Sequence, residues 1–494
     1  MMTTNSRPVF LSQRSSTAFI ISTITLALFT DLFLYGLIIP TIPFILAHRL
    51  HLPPQEAQKH ISMLLTSYAL SSLIFSIPTG LFTDRMTTRR LPFFIGLLLL
   101  IISTVLLALG QTMVILVIAR VLQGMSAAVV WTVGLVLVQD TVGRERLGTV
   151  LGGIFGFISV GNLISPVLGG IVYDRAGDKA VFGLGLGILV VDLVLRIVMI
   201  EKSVAEKWRV LSVDGDGDHT VEECLDPTIS ERSPLLAQSP ILNEGHDVNS
   251  NGEDQEDNTG SSKYVLPSTL PIYLPTPLLY MFFTSPRILM STLTTLLQSI
   301  LVSLNDTTIP LHALDLFGFT PLHSGLLFIP LLTPLLVLGP LIGYIVDRSG
   351  TKLASAIGFL YLSIPVFLLG LPRAAGKDEI AKYATILFFC GIGSSAVSAV
   401  SLVEGSDVAA RYHEANPGVF GEQGPFVLLF AWNSVVLNAG FALGPMVAVW
   451  LIEPLGYGGM NACMAVVCVV VGVLCFFFMG ESRMEREKWK KTRL

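Results

Sequence analysis

The residues in this sequence with the clearest potential for chemistry are ionisable groups inside long apolar runs. Asp31 lies within LALFTDLFLYGLIIPTIP, residues 26–43, and Asp306 and Arg120 lie in comparable runs. A charged side chain at the centre of a membrane helix costs roughly 2.5–3.5 kcal/mol on insertion scales, and such residues usually handle protons, ions or charged substrates. We therefore expect Asp31 and Asp306 to carry protons or to bind a cation.

Each of these groups also has a structural interpretation. A buried guanidinium needs an acidic or carbonyl partner, and Asp31 is the first candidate to pair with Arg120. Either acid could instead be held by a neighbouring donor in a purely structural role. For Asp306 both interpretations stay open, because it lies close to the outer end of its run, where water could reach it.

Four further charges lie in or beside the apolar runs. Asp192 and Arg196 are four residues apart, a spacing that places them on one face of a helix, so we expect a local ion pair. Asp140 and Glu404 lie near the ends of their runs, and we expect them to act as gate or interface charges.

The elements that position these residues are membrane-spanning helices. The chain has 494 residues, 52% of them hydrophobic and 14% charged, with a mean hydropathy of +0.69. Soluble domains usually carry about 25% charged residues. Runs of roughly 20 apolar residues can cross a bilayer, and six such runs lie in residues 18–200 and six in residues 276–479. The sequence therefore predicts an all-α membrane protein with twelve transmembrane helices in two six-helix halves.

The segments outside the two halves differ in charge. Residues 201–275 hold fifteen acidic and five basic residues, a composition that predicts a disordered linker. Residues 1–17 and the basic residues 480–494 form the tails. Lys and Arg are roughly threefold more frequent on the linker side of the membrane, which places the linker and both termini in the cytosol. Nothing in this pattern indicates nucleic-acid binding or a metal site.

One short motif occurs once in each half. GLFTDRMTTRR follows the second run and GYIVDRSGTK follows the eighth, so G-x-x-x-D-R ends the second helix of both halves. Such duplication indicates two related halves around a central path. We expect the motif to form a cytosolic latch that opens and closes, built from Gly80, Asp84, Arg85, Arg89, Gly343, Asp347, Arg348, Gly350 and Lys352.

The fourth and fifth runs carry further motifs. ARVLQGMSAA contains Arg120, Gln123 and Gly124, and GFISVGNLISPVLGG spans residues 156–170. Small residues allow close helix packing in membranes, and a proline removes one backbone hydrogen bond. The second stretch therefore predicts a closely packed, bendable helix whose defining positions are Gly161, Ser165, Pro166, Gly169 and Gly170.

These motifs resemble those of the major facilitator superfamily. The repeated loop is similar to G-x-L-A-D-R-x-G-R-K, although Thr87, Thr88 and Thr351 depart from it. The fourth run is similar to R-x-x-Q-G, and this resemblance implies a role in proton or substrate coupling for its arginine, Arg120. The fifth is similar to G-x-x-x-G-P-x-x-G-G of the antiporters, with Ser165 in place of a glycine.

Within that superfamily the chain resembles twelve-span drug:proton antiporters and vesicular monoamine transporters. Asp31 is followed by Pro40 and Pro43, and Asp306 by Pro310, as in the first and seventh spans of that group. Its other amine-transporter positions are not kept. The resemblance implies a monomeric secondary transporter that exports a small organic molecule by alternating access. Tyr68, Gln123, Trp432 and Asn433 would line its cavity.

Protons would be the coupling ion of such a transporter, with no cofactor, in the plasma membrane or a vacuolar or vesicular membrane. A nutrient or metabolite symporter or facilitator of the same fold is the alternative, followed by a non-transporting receptor. We expect no enzyme activity, since HExxH, G-x-S-x-G and a Walker loop are absent from the sequence.

Overall fold

The structure is a computed structural model in which long α-helices account for nearly all of the chain that it describes. The described residues are 10–50, 54–84, 88–142, 147–200, 202, 204–205, 264–267, 271, 276–372, 374, 376–398, 400–420 and 425–480.

The first half begins with a short helix, Leu11–Arg14, and continues with long ones. These are span 1 (Thr17–Ile38, the 3-10 turn Ile39–Thr41 and Ile42–Leu50), span 2 (Pro54–Asp84), span 3 (Arg90–Leu109), span 4 (Met113–Val142) and the helix Leu147–Val198. Span 1 changes to a 3-10 turn at Pro40, because proline has no backbone N–H to continue the α-helical ladder.

The second half has the same sequence of elements after the short helix Pro277–Thr284. These are span 7 (Pro286–Phe317), span 8 (Pro321–Leu326 and Phe328–Ser349), span 9 (Thr351–Leu368), span 10 (Lys377–Ser398 and Val400–Ala415) and the helix Phe426–Phe478.

Two of these helices are each two membrane spans. Leu147–Val198 has 52 residues and Phe426–Phe478 has 53. At about 1.5 Å per residue either would be roughly 78 Å long, more than twice the hydrocarbon thickness. Each is broken by a glycine with positive φ, Gly177 at 77° and Gly456 at 71°. The ten apolar helices among the described residues therefore make twelve crossings, and the predicted fold class is confirmed.

We refer to the two ends of the bundle by their glycines. The linker face carries Gly350 and Gly480, and the far face carries Gly177, Gly318 and Gly456. Spans 5 and 6 are residues 147–176 and 178–198, and spans 11 and 12 are residues 426–455 and 457–478.

A residue within the predicted linker packs against the second half. Tyr264, placed in the linker by composition, is 6% exposed and packs with Met281, Ile288 and Tyr412 of the second half. Asn416 at the end of span 10 donates to the Tyr264 carbonyl at 2.9 Å. Tyr264 thus belongs to the second half, because its ring is buried by contacts that composition does not encode. Residues 206–263 lie outside the described part of the structure.

The halves share the same close helix contact. A Cβ built on Gly124 of span 4 would lie 2.2 Å from the Tyr68 carbonyl of span 2. A Cβ on Gly391 of span 10 would lie 2.3 Å from the Leu331 carbonyl of span 8. Only glycine allows this backbone approach. The duplication visible in the loop motif therefore extends to the packing of the spans.

Span 5 packs on span 1 along one helical face. Positions 161, 165 and 169 are spaced by four and meet span 1 in turn. A Cβ on Gly161 would lie 2.4 Å from the Phe29 ring, and one on Gly169 would lie 2.0 Å from the Leu37 carbonyl. Between them, Ser165 faces Gly36, where an added Cβ would lie 2.1 Å from the Ser165 Oγ.

The second half has the same serine–glycine contact as Ser165 and Gly36, but with the two residue types exchanged between the helices. There the serine is on span 7 and the glycine on span 11, and a Cβ on Gly440 would lie 1.8 Å from the Ser299 Oγ. The departure from the antiporter motif at Ser165 is thus accommodated by Gly36 across the interface. In each half the interface holds one serine, and the residue opposite that serine is a glycine.

Exchanging the two residues in the first half tests this complementarity. We expect Gly36→Ser to destabilise the protein by about 1–3 kcal/mol, as overpacking usually does. The double variant Gly36→Ser/Ser165→Gly should recover most of that loss, because it reproduces the arrangement of the second half. Thermal unfolding of the purified variants measures both effects. A double variant as unstable as Gly36→Ser alone would show that Ser165 is not the obstacle.

The side of span 5 that carries Pro166 and Gly170 contacts span 8 of the second half. A Cβ on Gly170 would lie 2.4 Å from the Pro321 carbonyl of span 8, and one on Gly325 would lie 2.4 Å from the Pro166 carbonyl. The two helices therefore cross in close backbone contact near the far face.

Further apolar and polar contacts join the two halves. Ile39 of span 1 belongs to the core of the second half, and Leu311 of span 7 to a core of the first half. Thr66 of span 2 donates to the Ala442 carbonyl of span 11 at 3.2 Å. The structure is therefore closed at the far face.

Candidate functional site

Asp31 is buried near the middle of span 1 and held by two aromatic donors. The residue is 1% exposed. Its Oδ2 accepts a hydrogen bond from the Trp131 Nε1 at 3.1 Å and a longer one from the Tyr68 hydroxyl at 3.5 Å. Its Oδ1 has no hydrogen-bond partner among the described residues. Both donors are neutral, and no described cation is bonded to this carboxyl group.

Arg120 does not pair with Asp31. It is 1% exposed, and its Nη1 donates to the Gln123 Oε1 at 2.9 Å. The sequence suggested Asp31 as the first partner of Arg120. In the structure no Arg120 nitrogen bonds to Asp31: Nη1 donates to Gln123, and Nε and Nη2 have no acceptor among the described residues.

The predicted ion pair on span 6 is present. The Arg196 Nη2 donates to the Asp192 Oδ2 at 2.7 Å, and both side chains are at most 1% exposed. The guanidinium also donates to the Phe93 carbonyl at 2.5 Å and lies 3.9 Å from the centre of that ring. These contacts fasten span 6 to span 3, a structural role.

Asp306 connects the two halves. Its Oδ2 accepts a hydrogen bond from the Tyr35 hydroxyl of span 1 at 3.2 Å, and the residue is partly buried. The Tyr35 and Tyr68 rings are 5.2 Å apart between centres. Asp31, Tyr68, Tyr35 and Asp306 therefore form one chain of contacts from the first half to the second.

Tyr35 and Trp131 were missed by the sequence reasoning. Tyr35 lies four residues after Asp31, so helical spacing offered a signal for the same face of span 1. Trp131 is 100 residues away from Asp31, and no local pattern could join them.

Trp432 and Asn433 lie elsewhere, on span 11 of the second half, where both contact span 7. The Trp432 Nε1 donates to the Thr292 hydroxyl at 3.0 Å, and the Asn433 Oδ1 accepts from Thr295 at 2.9 Å. Both line a narrow cavity that Ser291 and Leu429 also border. None of the contacts described for these two residues joins them to the acid–tyrosine chain.

The repeated loop motif is described in part. Gly350 has φ 91° just before span 9, a conformation that favours glycine. The Lys352 ammonium lies 5.0 Å from the centre of the Phe476 ring, and Arg89 pairs with Asp140 at 3.4 Å. Gly80 and Gly343 lie within helices. The side chains of Asp84, Arg85, Asp347 and Arg348 lie outside the described residues, so the latch itself stays a prediction.

Glu404 is a buried junction of the second half and not a charge between the halves. It is 0% exposed and accepts from the Arg287 Nε at 2.6 Å and from the Gly480 N–H at 2.9 Å. Thr351 donates to its other oxygen. The Arg287 Nη2 also donates to Asp407 at 3.0 Å. Spans 7, 9, 10 and 12 thus meet at one carboxylate.

The geometry agrees with a comparison to known sequence families. The sequence model of the Major Facilitator Superfamily matches residues 24–420. The chain belongs to this superfamily. Its twelve spans and duplicated halves are therefore those of a multi-pass integral membrane transporter.

Two fungal relatives match along nearly the whole chain. The MFS-type transporter ppzB of Metarhizium majus is 38% identical over 465 residues, covering 93% of this chain and 99% of that protein. An uncharacterised MFS-type transporter of Schizosaccharomyces pombe is 36% identical over 471 residues, covering 95% and 98%. In both cases the match covers nearly the whole of the relative as well as nearly the whole of this chain.

More distant matches are partial in sequence or limited to fold. A probable vesicular acetylcholine transporter of Danio rerio is 32% identical over 178 residues, covering 32% of this chain and 34% of that protein. The crystal structure of a POT family transporter in complex with 5-aminolevulinic acid superposes with a TM-score of 0.63 at 16% identity, covering 93% and 95%. That likeness shows the shared fold alone.

Proposed function

We propose that this superfamily member is a proton-coupled antiporter. It moves a small organic molecule out of the cytosol, either across the plasma membrane or into an acidic organelle. The linker face is the cytosolic face and carries both termini. Protons enter from the acidic side as the substrate leaves, and alternating access exposes the central path to one side at a time.

The observation that carries this proposal is the environment of Asp31. The carboxyl is buried, bonded to neutral donors and not in contact with any described basic residue. Burial disfavours the charged form and lets the group hold a proton until water or a substrate cation reaches it. Ionisable residues in such intramembrane positions mark proton relays and substrate paths.

The chain of contacts to the second half supports coupling. Tyr35 joins Asp306 to the first half while the far face is closed. Opening that face must separate spans 1 and 7 and break this hydrogen bond, which frees Asp306 to exchange a proton. Proton exchange at Asp306 and the motion of the halves are thereby linked.

The relatives indicate which compounds to try first. Vesicular acetylcholine transporters match about a third of the chain, which makes acetylcholine and other organic cations the starting panel. The acids at positions 31 and 306 supply the negative charge that such cations require.

Transport in proteoliposomes with an imposed pH gradient tests the proposal. Purified protein should accumulate at least one cation of the panel against its concentration gradient when the compartment that receives the cation is acidic. Collapsing the pH gradient with an ionophore should abolish accumulation. Substrate movement at the same rate with and without the gradient would favour a facilitator of the same fold.

A further inference from the structure

Several buried donors in the first half lack acceptors among the described residues. They are the Nε and Nη2 of Arg120 and the Nε2 of Gln123, and these residues are 1% and 0% exposed. The two side chains lie one turn apart on span 4. Buried polar groups are nearly always hydrogen-bonded, so exceptions call for an explanation. One ligand group that accepts from all three donors would explain them together.

The positions of the unpaired Arg120 nitrogens indicate which chemical group the ligand presents to them. The Nη1 of Arg120 donates to the Gln123 Oε1. The Nε and Nη2 nitrogens are therefore the ones available to a ligand. These two nitrogens lie on one side of the planar guanidinium and donate in parallel, the arrangement that binds a carboxylate through both of its oxygens. Arg120 stays charged in proteins, so an anionic acceptor offsets part of the cost of burying the cation.

The Asp31 carboxyl, which can bind a cation, complements these donors from another position in the first half. The Oδ1 of Asp31 is buried without a donor among the described residues. Trp131, which holds the other oxygen, lies eleven residues from Arg120 on span 4, or about 16 Å along the helix axis.

The Tyr68 hydroxyl reaches Asp31, and the Tyr68 backbone packs on Gly124 beside Gln123. The rings of Tyr68 and Tyr35 are 5.2 Å apart, and both residues stay partly exposed. Carboxylates and aromatic faces both attract organic cations.

We propose that Arg120 and Gln123 form a carboxylate-binding subsite and that the transported molecule is amphoteric. Its carboxylate binds span 4, its protonated amine faces Asp31 and Asp306, and its apolar or aromatic body packs on the two tyrosines. The inference rests on the proposed transport function and names the substrate class for the same path.

Two rhodamine dyes separate this substrate class from plain cations. One carries a free carboxylate and the other is its methyl ester, so they differ only in the group that Arg120 would bind. We expect proteoliposomes with the full-length protein to take up the free-carboxylate dye with a KM about tenfold below that of the ester, equivalent to about 1.4 kcal/mol.

Matched variants assign the preference to the subsite. Arg120→Gln should raise the KM for the free-carboxylate dye at least about tenfold and change that for the ester by less than about twofold. Arg120→Lys should be intermediate, because it keeps the charge and loses the paired donors. Arg175→Gln, on an exposed arginine at the far end of span 5, is the control and should behave as the unmodified protein. Thermal melting without dye checks the folding of each variant.

Three results would overturn the subsite. They are faster uptake of the ester than of the free-carboxylate dye, an equal loss of both dyes in folded Arg120→Gln, and no uptake of either dye. Antiport itself is judged separately by the pH-gradient dependence of the cation panel. A carboxylate preference without gradient dependence would keep the subsite and reject antiport.

Discussion

Replacing Asp31 with Asn is expected to uncouple transport from the proton gradient. The amide has the size of the carboxyl and can still accept from Trp131, so the protein should fold normally, but the side chain no longer binds and releases a proton. A gradient of one pH unit can drive about tenfold accumulation per proton exchanged, and in Asp31→Asn the ratio should fall to about one. The steady-state ratio of labelled substrate inside and outside proteoliposomes under an imposed pH gradient measures this effect.

The matched control for this variant is Asp315→Asn. Asp315 is an acid on span 7 that is exposed and lies outside the acid–tyrosine chain. Gradient-driven accumulation should be unchanged in it. Equal accumulation by Asp31→Asn and the unmodified protein would remove Asp31 from the coupling mechanism, whatever the substrate.

Removing the cation beside Glu404 is expected to produce the largest loss of stability. Glu404 is 0% exposed and Arg287 is 5% exposed, at an Nε–Oε1 distance of 2.6 Å. Breaking one side of a buried ion pair leaves an uncompensated charge and costs about 3–5 kcal/mol. We therefore expect Arg287→Met to lower the free energy of unfolding by about that amount, measured by denaturation of the purified protein in detergent.

Two comparisons isolate the buried charge as the cause. The double variant Arg287→Met/Glu404→Gln should be more stable than Arg287→Met, since the remaining amide is neutral. Lys382→Met removes one side of an exposed pair of similar length, 2.7 Å to Glu379, and should change stability little, because exposed pairs contribute little. A double variant less stable than Arg287→Met would contradict this account.

The sequence could predict features that depend on local composition and spacing. Twelve spans follow from the length of the apolar runs, since each must cover the same hydrocarbon thickness. The Asp192–Arg196 pair follows from helical spacing, because residues four apart share one face. Asp31 stands out because a charge in an apolar run is costly and is rarely retained without a role.

The tertiary structure alone decided which partners these residues have. Trp131 and Tyr68 reach Asp31 from other spans, Tyr35 reaches Asp306 across the two halves, and Arg120 turns to Gln123. These contacts join residues up to 271 positions apart. The packing of separate helices brings them together, and hydropathy and motif spacing along one helix carry no information about that packing. The sequence by itself therefore singled out Asp31 as the candidate, and the fold determined which side chains hold it.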